Sequence, residues 1–171
     1  EMLKSVTKKV RDQIMILSLT GSANNDLMWK NYSGEHSGIC IEVNPFEDIL
    51  FFWTTHKVNY VPKLPSIQDS PKTMRSKANS EYFMALACTK ILKWKYEQEW
   101  RIVKLFNDEG KNKQQFRKSM IKSIIFGNRI STEIKEKIKS IVSSENGYEN
   151  VRFLQTEKIE GTSELKFIEE V

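Results

Sequence analysis

The sequence has 171 residues, a length that fits one domain able to bury roughly 70% of its unfolded surface without disulfide support. Lys and Arg outnumber Asp and Glu by 27 to 22, and the net charge of +5 suits either a phosphate-bearing partner or a solvated surface. Two cysteines, Cys40 and Cys88, are too few for a disulfide framework, and no apolar run approaches the ~18 residues of a membrane span. We therefore expect reduced thiols in a cytoplasmic protein without a membrane anchor.

Hydrophobic periodicity predicts helices interleaved with short strands rather than a regular strand–helix alternation. This pattern indicates an α+β fold in a single domain, 1–171, with a mixed or mostly antiparallel sheet and helices packed against it. Four helices are predicted. The first begins at Asn25 or Asp26 and the second at Pro45. The third extends over 72–93, after a proline-containing loop at 62–70, and the fourth begins at Ser131 or Thr132. The predicted strands are IMILSLT, GICIEV, HKVNYV, the run from 93 to 105, SIIFG, VRFLQ and LKFIEE.

Several sequence signatures of common enzyme chemistry are absent. The chain has no glycine-rich phosphate loop, no H-E-x-x-H, no C-x-x-C and no G-x-S-x-G. Their absence argues against nucleotide hydrolysis, zinc chemistry and serine hydrolysis, and we expect no bound metal. His36 and Cys40 stand four residues apart, but Gly38 between them breaks a helix, so we reject a Cys–His nucleophile.

The run KWKYEQEWRIVKL, residues 93–105, carries charged side chains at alternate positions. Because strand side chains alternate between faces, Glu97, Glu99 and Arg101 are expected on one face, with Trp100 and Ile102 buried on the other. Carboxylates at i and i+2 lie ~6.5 Å apart along a strand, so one could oppose a cationic, oxocarbenium-like sugar while the other accepts a proton. Arg101 would help to keep Glu99 ionised. The alternative is a cross-strand ion ladder on a solvated face.

A second candidate cluster lies in LMWKNYSGEHSGICIEV, residues 27–43. Trp29 and Tyr32 are one helical turn apart, and His36 follows in the next loop. One helix face would thus offer two aromatic plates to an adenine, a nicotinamide or an unpaired base. The alternative is that Trp29 packs in the core beside Met28, which leaves Tyr32 and His36 as the ligand contacts.

These two segments, in this order, resemble a widespread bacterial family known only as a domain of unknown function. The resemblance extends from about Leu17 to Gly127 and includes the IIFG stretch. Members of that family usually carry an N-terminal part with a Tyr-x-x-Arg-like opening and a Phe-Asn-Asp-Pro segment. Neither is found here, so we expect that an N-terminal portion of the full-length protein is missing. The second motif consists of Lys90, Trp94, Glu97, Glu99, Trp100 and Arg101.

The Glu-x-Glu pair is also similar to that of arginine-modifying ADP-ribosyltransferases, in which one glutamate stabilises the cationic sugar formed as nicotinamide leaves NAD. This resemblance implies NAD as the substrate, Glu99 at the position of the essential second glutamate, and Glu97 at the first. We assign substrate contacts to Lys90 and Arg101 beside them. The stretch SLTGS at 18–22 corresponds poorly to the Ser-Thr-Ser strand of those enzymes, and their earlier arginine has no counterpart here. The expected function is an intracellular NAD-consuming domain in bacterial defence, including phage defence, or toxicity, with a nucleotide ligand and a protein or nucleic-acid acceptor.

A non-catalytic function stays open beside this one. Trp29, Tyr32 and Lys90, with the basic surface around Lys93 and Lys95, could bind nucleic acid or a protein. The sequence predicts no oligomeric state. The two hypotheses differ in what should surround Glu99. The transferase hypothesis gains support if the upstream sequence supplies a strand whose Arg, His or Tyr meets Glu99 in one cleft, and it loses support if a lysine caps Glu99 on an open face.

Overall fold

The structure is a computed structural model, and it describes residues 14–64, 84, 86–105 and 114–170. Its helices and strands are, in chain order, β1 (Ile14–Thr20), α1 (Asp26–Tyr32), β2 (Ile39–Val43), α2 (Ile49–Phe52), β3 (Thr55–Lys57), β4 (Asn59–Val61), β5 (Thr89–Ile91), β6 (Glu99–Leu105), β7 (Ile121–Phe126), α3 (Thr132–Ser144), β8 (Arg152–Lys158) and β9 (Leu165–Glu169). Three segments are 3₁₀ helices, namely Pro45–Asp48, Leu92–Glu97 and Lys118–Met120. The predicted α+β class is confirmed, since helices accompany sheets that contain both parallel and antiparallel pairs.

The chain divides into two compact units, each built from two stretches of sequence. Unit 1 comprises Glu1–Gly21 and Phe52–Gln114, and unit 2 comprises Ser22–Phe51 and Gln115–Val171. The prediction that the whole chain is one domain stays a prediction. None of the helices in the described part of the chain is long and apolar enough to cross a membrane.

Unit 1 contains an antiparallel sheet of order β1-β6-β3, with β6 in the centre. The register places Ser18 of β1 opposite Arg101 and Thr20 opposite Glu99. Beside this sheet, β4 and β5 form a short parallel pair in which Tyr60 is the partner of Lys90. The register thus places Ser18 and Thr20 beside the first residues of β6, and hydrogen bonds join Tyr60 of β4 and Lys90 of β5 to Glu99.

The helix predicted over 72–93 is wrong at its C-terminal end. Residues Thr89–Ile91 form strand β5 and Leu92–Glu97 form a 3₁₀ helix, while most of 72–88 lies outside the described residues, as does 65–70 of the predicted loop. Thr89 and Ile91 are β-branched, which favours the strand conformation once β4 supplies a partner. Cys88, just before β5, is buried, and both Cys40 and Cys88 are free thiols as predicted.

Unit 2 contains a mixed sheet of order β2-β7-β8-β9, in which only β7 and β8 of the described strands run parallel. Helix α3 packs on it, with the ammonium of Lys135 over the ring of Phe126 and that of Lys139 over the ring of Phe153. Ser131 caps α3 as predicted, because its side chain accepts a hydrogen bond from the N–H of Ile134.

Candidate functional site

Four of the predicted site residues come together in unit 1, at the start of β6. Glu99 and Arg101 are the first and third residues of that strand, Lys90 is in the centre of β5, and Glu97 ends the 3₁₀ helix before β6. We call these four side chains the charge cluster. Its carboxylates are almost fully covered, since the side chain of Glu97 is 3% exposed and that of Glu99 is 6% exposed.

The single strand face predicted for this run is wrong in two respects. Gln98 has a left-handed backbone with φ of 46°, so it separates Glu97 from the strand that begins at Glu99. Trp100 is 39% exposed, whereas Ile102 is 3% exposed as predicted. Both faces of β6 are therefore covered in part. The charges at Glu99 and Arg101 neutralise one another on one face, and on the other Ile102 is buried while the ring of Trp100 lies at the surface with the ammonium of Lys57 5.7 Å from its centre.

Both oxygens of the Glu99 carboxylate are bound. Arg101 donates from Nε to Oε1 at 2.8 Å and from Nη2 to Oε2 at 3.1 Å, which is a two-point pairing with fixed orientation. The Nζ of Lys90 donates to the same Oε2 at 2.9 Å. The backbone N–H of Glu99 donates to the hydroxyl of Tyr60 at 2.9 Å. Glu99 is thus held from three elements, β4, β5 and its own strand.

Lys90 joins the two carboxylates. Its Nζ contacts Oε2 of Glu97 as well as Oε2 of Glu99, so both acids converge on one ammonium. The two oxygens are consequently closer together than the ~6.5 Å that a regular strand would give. A lysine caps Glu99, as the binding-module hypothesis expects, but the carboxylates are covered rather than on an open face, and the side chain of Lys90 itself is 21% exposed. The upstream strand that the transferase hypothesis expects lies outside this sequence and stays a prediction.

Three of the four groups have pKa values shifted in the direction that favours their charged forms. Burial by itself raises the pKa of Glu99, but hydrogen bonds from Arg101, Ser18 and Lys90 outweigh it and lower the pKa to about 2. Burial opposes the charge of Lys90, and hydrogen bonds to Glu97 and Glu99 overcome it and raise the pKa of the lysine. The pKa of Arg101 is also raised, against burial, by its bond to Glu99. Glu99 is therefore ionised and Lys90 and Arg101 are protonated at neutral pH.

Sequence reasoning missed two contributors to this site, Ser18 and Tyr60, and it included Trp94 in the second motif without predicting its contact with Lys90. Ser18 hydrogen bonds to Glu99, Tyr60 accepts from the Glu99 backbone, and the ring centre of Trp94 lies 5.4 Å from Nζ of Lys90. The alternation of Ser18 and Thr20 within an otherwise apolar strand was a usable signal for the first. The others depend on the pairing of β4 with β5 and on the 3₁₀ helix, which no local pattern indicates.

The other predicted site residues belong to unit 2. Trp29 is 4% exposed, packs with Ile125 and Leu165, and donates from Nε1 to the carbonyl oxygen of Ala23 at 2.6 Å. Tyr32 is 61% exposed. The prediction of two aromatic plates on one exposed helix face is therefore wrong for Trp29, whose packing and indole bond hold it in the core. The alternative, core packing of Trp29, is the observed arrangement.

His36 lies under the end of helix α1 and is 5% exposed. Its ring stacks on Trp29 with centres 6.3 Å apart, and its Nε2 is 3.3 Å from Oδ1 of Asp26. Burial lowers the pKa of His36, although Asp26 opposes that effect. Gly34, Glu35 and His36 all have positive φ, so the turn after α1 carries two non-glycine residues in a conformation that L residues rarely adopt.

Two groups of predicted residues thus exist, one in each unit. Lys90, Glu97, Glu99 and Arg101 are in mutual contact, and Trp29, Tyr32 and His36 lie on or after α1. Across the segments for which positions are defined, no three His, Cys, Asp or Glu side chains are grouped so as to hold a metal ion. The two covered carboxylates of the site in unit 1 can stabilise a positive charge between them.

Both groups fall within one matched region of the chain. Residues 28–102 match the family described as Protein of unknown function (DUF2971). This confirms the resemblance to a family of unknown function. The DUF2971 match covers less than half of the chain and contains every site residue predicted from the sequence, whereas Ser18, which also contacts Glu99, lies before it. Comparison with curated proteins and with solved structures gave no significant match. The DUF2971 description supplies no activity, so a function must be argued from the site.

Proposed function

We propose that the DUF2971 region of this protein cleaves NAD and transfers the ADP-ribosyl group to an acceptor. One observation carries the proposal, which is the convergence of Glu97 and Glu99 on a single ammonium in a covered site. Two carboxylates directed at one point favour positive charge at that point. A sugar that becomes cationic as nicotinamide leaves is a reacting group of that charge.

The bond changes balance without a further reactant. The bond between ribose C1′ and the nicotinamide nitrogen breaks, and its electron pair leaves with the nicotinamide, whose ring becomes neutral. A nucleophilic atom of the acceptor forms a new bond to C1′ and gives up its proton. In this scheme Glu99 opposes the charge on the sugar and Glu97 takes the proton. Water in place of the acceptor yields ADP-ribose.

Arg101 has a positioning role in this scheme. Its two-point contact fixes the plane of the Glu99 carboxylate, and Glu99 is ionised at neutral pH, since its pKa is lowered to about 2. Ser18 and Tyr60 support the same residue from β1 and β4. A carboxylate with a fixed direction and a permanent charge needs little reorganisation as the cation forms.

The test is nicotinamide release from NAD by the purified protein, with candidate protein and nucleic-acid acceptors. Glu99→Gln should lower the rate ~100-fold or more while thermal melts show a folded protein. Glu97→Gln should reduce transfer more than hydrolysis, because water can still react without that proton acceptor. A wild-type protein that binds no NAD and releases no nicotinamide would remove the basis of the proposal.

The cellular setting we propose is bacterial defence or toxicity through consumption of NAD. Induced expression of the wild-type protein should then lower cellular NAD and slow growth, and Glu99→Gln should abolish both effects. Normal NAD levels under induction of the wild type would contradict this setting.

A second candidate is a nucleic-acid-binding module, favoured by the aromatic and basic side chains on the surface of unit 1. Trp100 is 39% exposed with the ammonium of Lys57 5.7 Å from its ring centre, and that of Lys93 is 5.1 Å from the ring centre of Trp94. Such rings can stack on unpaired bases while lysines contact phosphates. Trp100→Ala should weaken the binding of a labelled single-stranded oligonucleotide more than Trp53→Ala does, Trp53 being a 79% exposed tryptophan of the same unit.

A further inference from the structure

The short helical segment formed by residues 45–52 exposes apolar side chains on one side. Phe46 is 83% exposed, Leu50 is 81% exposed and Ile49 is 57% exposed. Because these residues are three or four positions apart, they share one side of the segment, and we call them the apolar face. Phe46 and Leu50 are more exposed than any other large hydrophobic side chain in the described part of the chain. Single exposed apolar residues are ordinary, but a group of them on one side marks a contact surface.

The opposite side of the segment is fastened to the rest of unit 2, which holds the apolar face outward. Asp48 is buried, and its carboxylate accepts hydrogen bonds from the N–H of Phe51 at 3.2 Å and from the N–H of Arg117 at 2.7 Å. The ring of Phe51 packs against that of Phe116, with ring centres 6.1 Å apart. A buried carboxylate on the inner side and exposed apolar side chains on the outer side reverse the usual amphipathic order of a surface helix.

We propose that the apolar face inserts into the surface of an anionic phospholipid bilayer and attaches the protein to it peripherally. This inference goes beyond the proposed function and does not depend on the cleavage of NAD. Residues 45–52 form two four-residue elements, far short of the ~20 residues that span a bilayer, so the contact is confined to the interface between lipid and water.

The exposed area of the apolar face is too small for a stable contact with another protein. At about 200 Å² for a whole large side chain, the three residues expose roughly 400 Å². A specific protein interface, including one between two copies of a chain, buries about 800 Å² on each partner. A bilayer sets no such minimum, because each apolar side chain that enters it contributes separately. Side chains that protrude this far also suit a fluid phase, which needs no complementary shape.

Basic side chains flank the apolar face. The Nζ of Lys122 is 3.2 Å from Oε1 of Glu47, in the same helical segment, and the Nζ of Lys118 is 3.0 Å from Oε2 of Glu145. These four side chains are between 38% and 58% exposed, and exposed ion pairs contribute little, so each lysine can exchange its carboxylate for a lipid phosphate. Arg117, which the N–H bond above places beside the segment, is exposed as well. Basic residues next to inserted apolar side chains favour an anionic bilayer over a neutral one.

Flotation with vesicles tests the proposal directly. Vesicles of equal parts phosphatidylcholine and phosphatidylglycerol are floated through a density gradient with the purified protein at physiological salt. The wild type should float with the lipid, and the double variant Phe46→Gln/Leu50→Gln should bind ~10-fold or more weakly, because two large apolar side chains no longer enter the bilayer. Glutamine suits a helix and both positions are exposed, so the melting temperature of this variant should match that of the wild type.

A matched control comes from helix α3 of the same unit, where Ile134 is 50% exposed and Ile141 is 53% exposed. The double variant Ile134→Gln/Ile141→Gln removes two exposed apolar side chains elsewhere and should float like the wild type. An equal loss in both double variants would show a general dependence on surface hydrophobicity and would overturn the proposal. Vesicles of phosphatidylcholine alone should bind the wild type ~5-fold or more weakly than the anionic vesicles, because the basic residues then meet no net negative charge.

A fluorescent probe on the apolar face distinguishes insertion from adsorption. Leu50→Cys and Ile141→Cys are labelled with NBD, whose emission rises in apolar surroundings, and the wild type treated in the same way is the blank. With anionic vesicles the emission should rise for the label at position 50 and stay unchanged for the label at position 141. Unchanged emission at position 50 in the bound protein would overturn the proposal. Binding that high salt abolishes and that Phe46→Gln/Leu50→Gln leaves intact would do the same, since it would show adsorption through the net charge of +5 alone.

Analytical ultracentrifugation tests the competing possibility that the apolar face joins two copies of the chain. A wild-type dimer that Phe46→Gln/Leu50→Gln converts into a monomer, without vesicle binding, would assign the face to self-association and overturn the bilayer contact. A monomeric wild type that floats with neither kind of vesicle would also overturn it. None of these measurements uses NAD, so failure of the bilayer contact leaves the proposed function unaffected, and absence of nicotinamide release leaves the bilayer contact unaffected.

Discussion

Replacement of Glu99 by Gln gives a quantitative test of the charge cluster, because it removes a charge and preserves size. The pKa of Glu99 is lowered from its usual 4.5 to about 2, against the opposing effect of burial. At about 1.4 kcal/mol for each pKa unit, the ionised carboxylate stabilises the fold by about 3 kcal/mol at neutral pH. Its 6% exposure means that solvent screens this energy little. Glu99→Gln should therefore unfold about 3 kcal/mol more easily than the wild type at pH 7.

The lowered pKa of Glu99 also determines how its contribution to the free energy of unfolding depends on pH. Because the folded-state pKa lies below the unfolded one, the contribution is complete above about pH 5 and is lost as the pH falls towards 2. The difference between the two proteins should shrink to less than half, about 1 kcal/mol, at pH 3. A difference that grows on acidification would have the wrong sign.

Urea unfolding followed by circular dichroism at pH 7, 5 and 3 provides the measurement. Glu170→Gln is the matched control, since hydrogen bonds from Lys135 and Lys139 lower the pKa of Glu170, whose side chain is 22% exposed. It should lose less, about 1 kcal/mol. If Glu99→Gln and the wild type unfold at the same urea concentration at pH 7, Glu99 is not held by the contacts described here.

Three further changes test separate parts of the structure. Burial lowers the pKa of His36, so the wild type should lose stability as the pH falls below about 6.5, and His36→Asn should lose less over the same range in parallel melts. A Cβ at Gly127 would lie 2.1 Å from the carbonyl oxygen of His36. Gly161 is the control, because its φ is +73° but no atom lies within 4 Å of a Cβ placed there, and Gly161→Ala should destabilise the fold by ~1 kcal/mol. Gly127→Ala should destabilise the fold by several times that amount. Equal losses would refute that packing. Tyr60→Phe removes the acceptor for the N–H of Glu99 and should cost roughly 1–3 kcal/mol in urea unfolding, and an unchanged midpoint would show that this bond adds nothing.

Elements with strong local signals could be predicted from the sequence. The strand that ends at Thr20, the helix capped at Asn25 and the helix capped at Ser131 are confirmed, because capping side chains and apolar periodicity are properties of neighbouring residues. The predicted strand HKVNYV is instead two short strands. The N–H of Val58 bonds to Glu99 and the next N–H, that of Asn59, bonds to Cys88, so the chain changes partners between them. A change of partner leaves no trace in the alternation of residues.

The composition of the site was predictable, but its geometry was not. The spacing of Glu97, Glu99 and Arg101 identified three of the four charged groups that meet, with Lys90 added from the family resemblance. Because Gln98 has a left-handed backbone and follows a 3₁₀ helix, Glu97 is not part of strand β6, and its carboxylate converges with that of Glu99 on one ammonium. Trp100 was predicted to be buried because it alternates with the charged residues along the strand, yet it is 39% exposed, while ion pairing allows the charged side chains on the opposite face to be covered. Such a reversal depends on partners from β5 and β1 that are distant in sequence.

The most direct test of the central claim is the rate of nicotinamide release from NAD by Glu99→Gln relative to Glu170→Gln. Both substitutions neutralise a carboxylate that pairs with lysine, but only Glu99 belongs to the proposed site. We expect Glu170→Gln to release nicotinamide at the wild-type rate and Glu99→Gln to release it ~100-fold or more slowly, with both proteins folded. Equal rates for the two variants, or no release by the wild type, would contradict it.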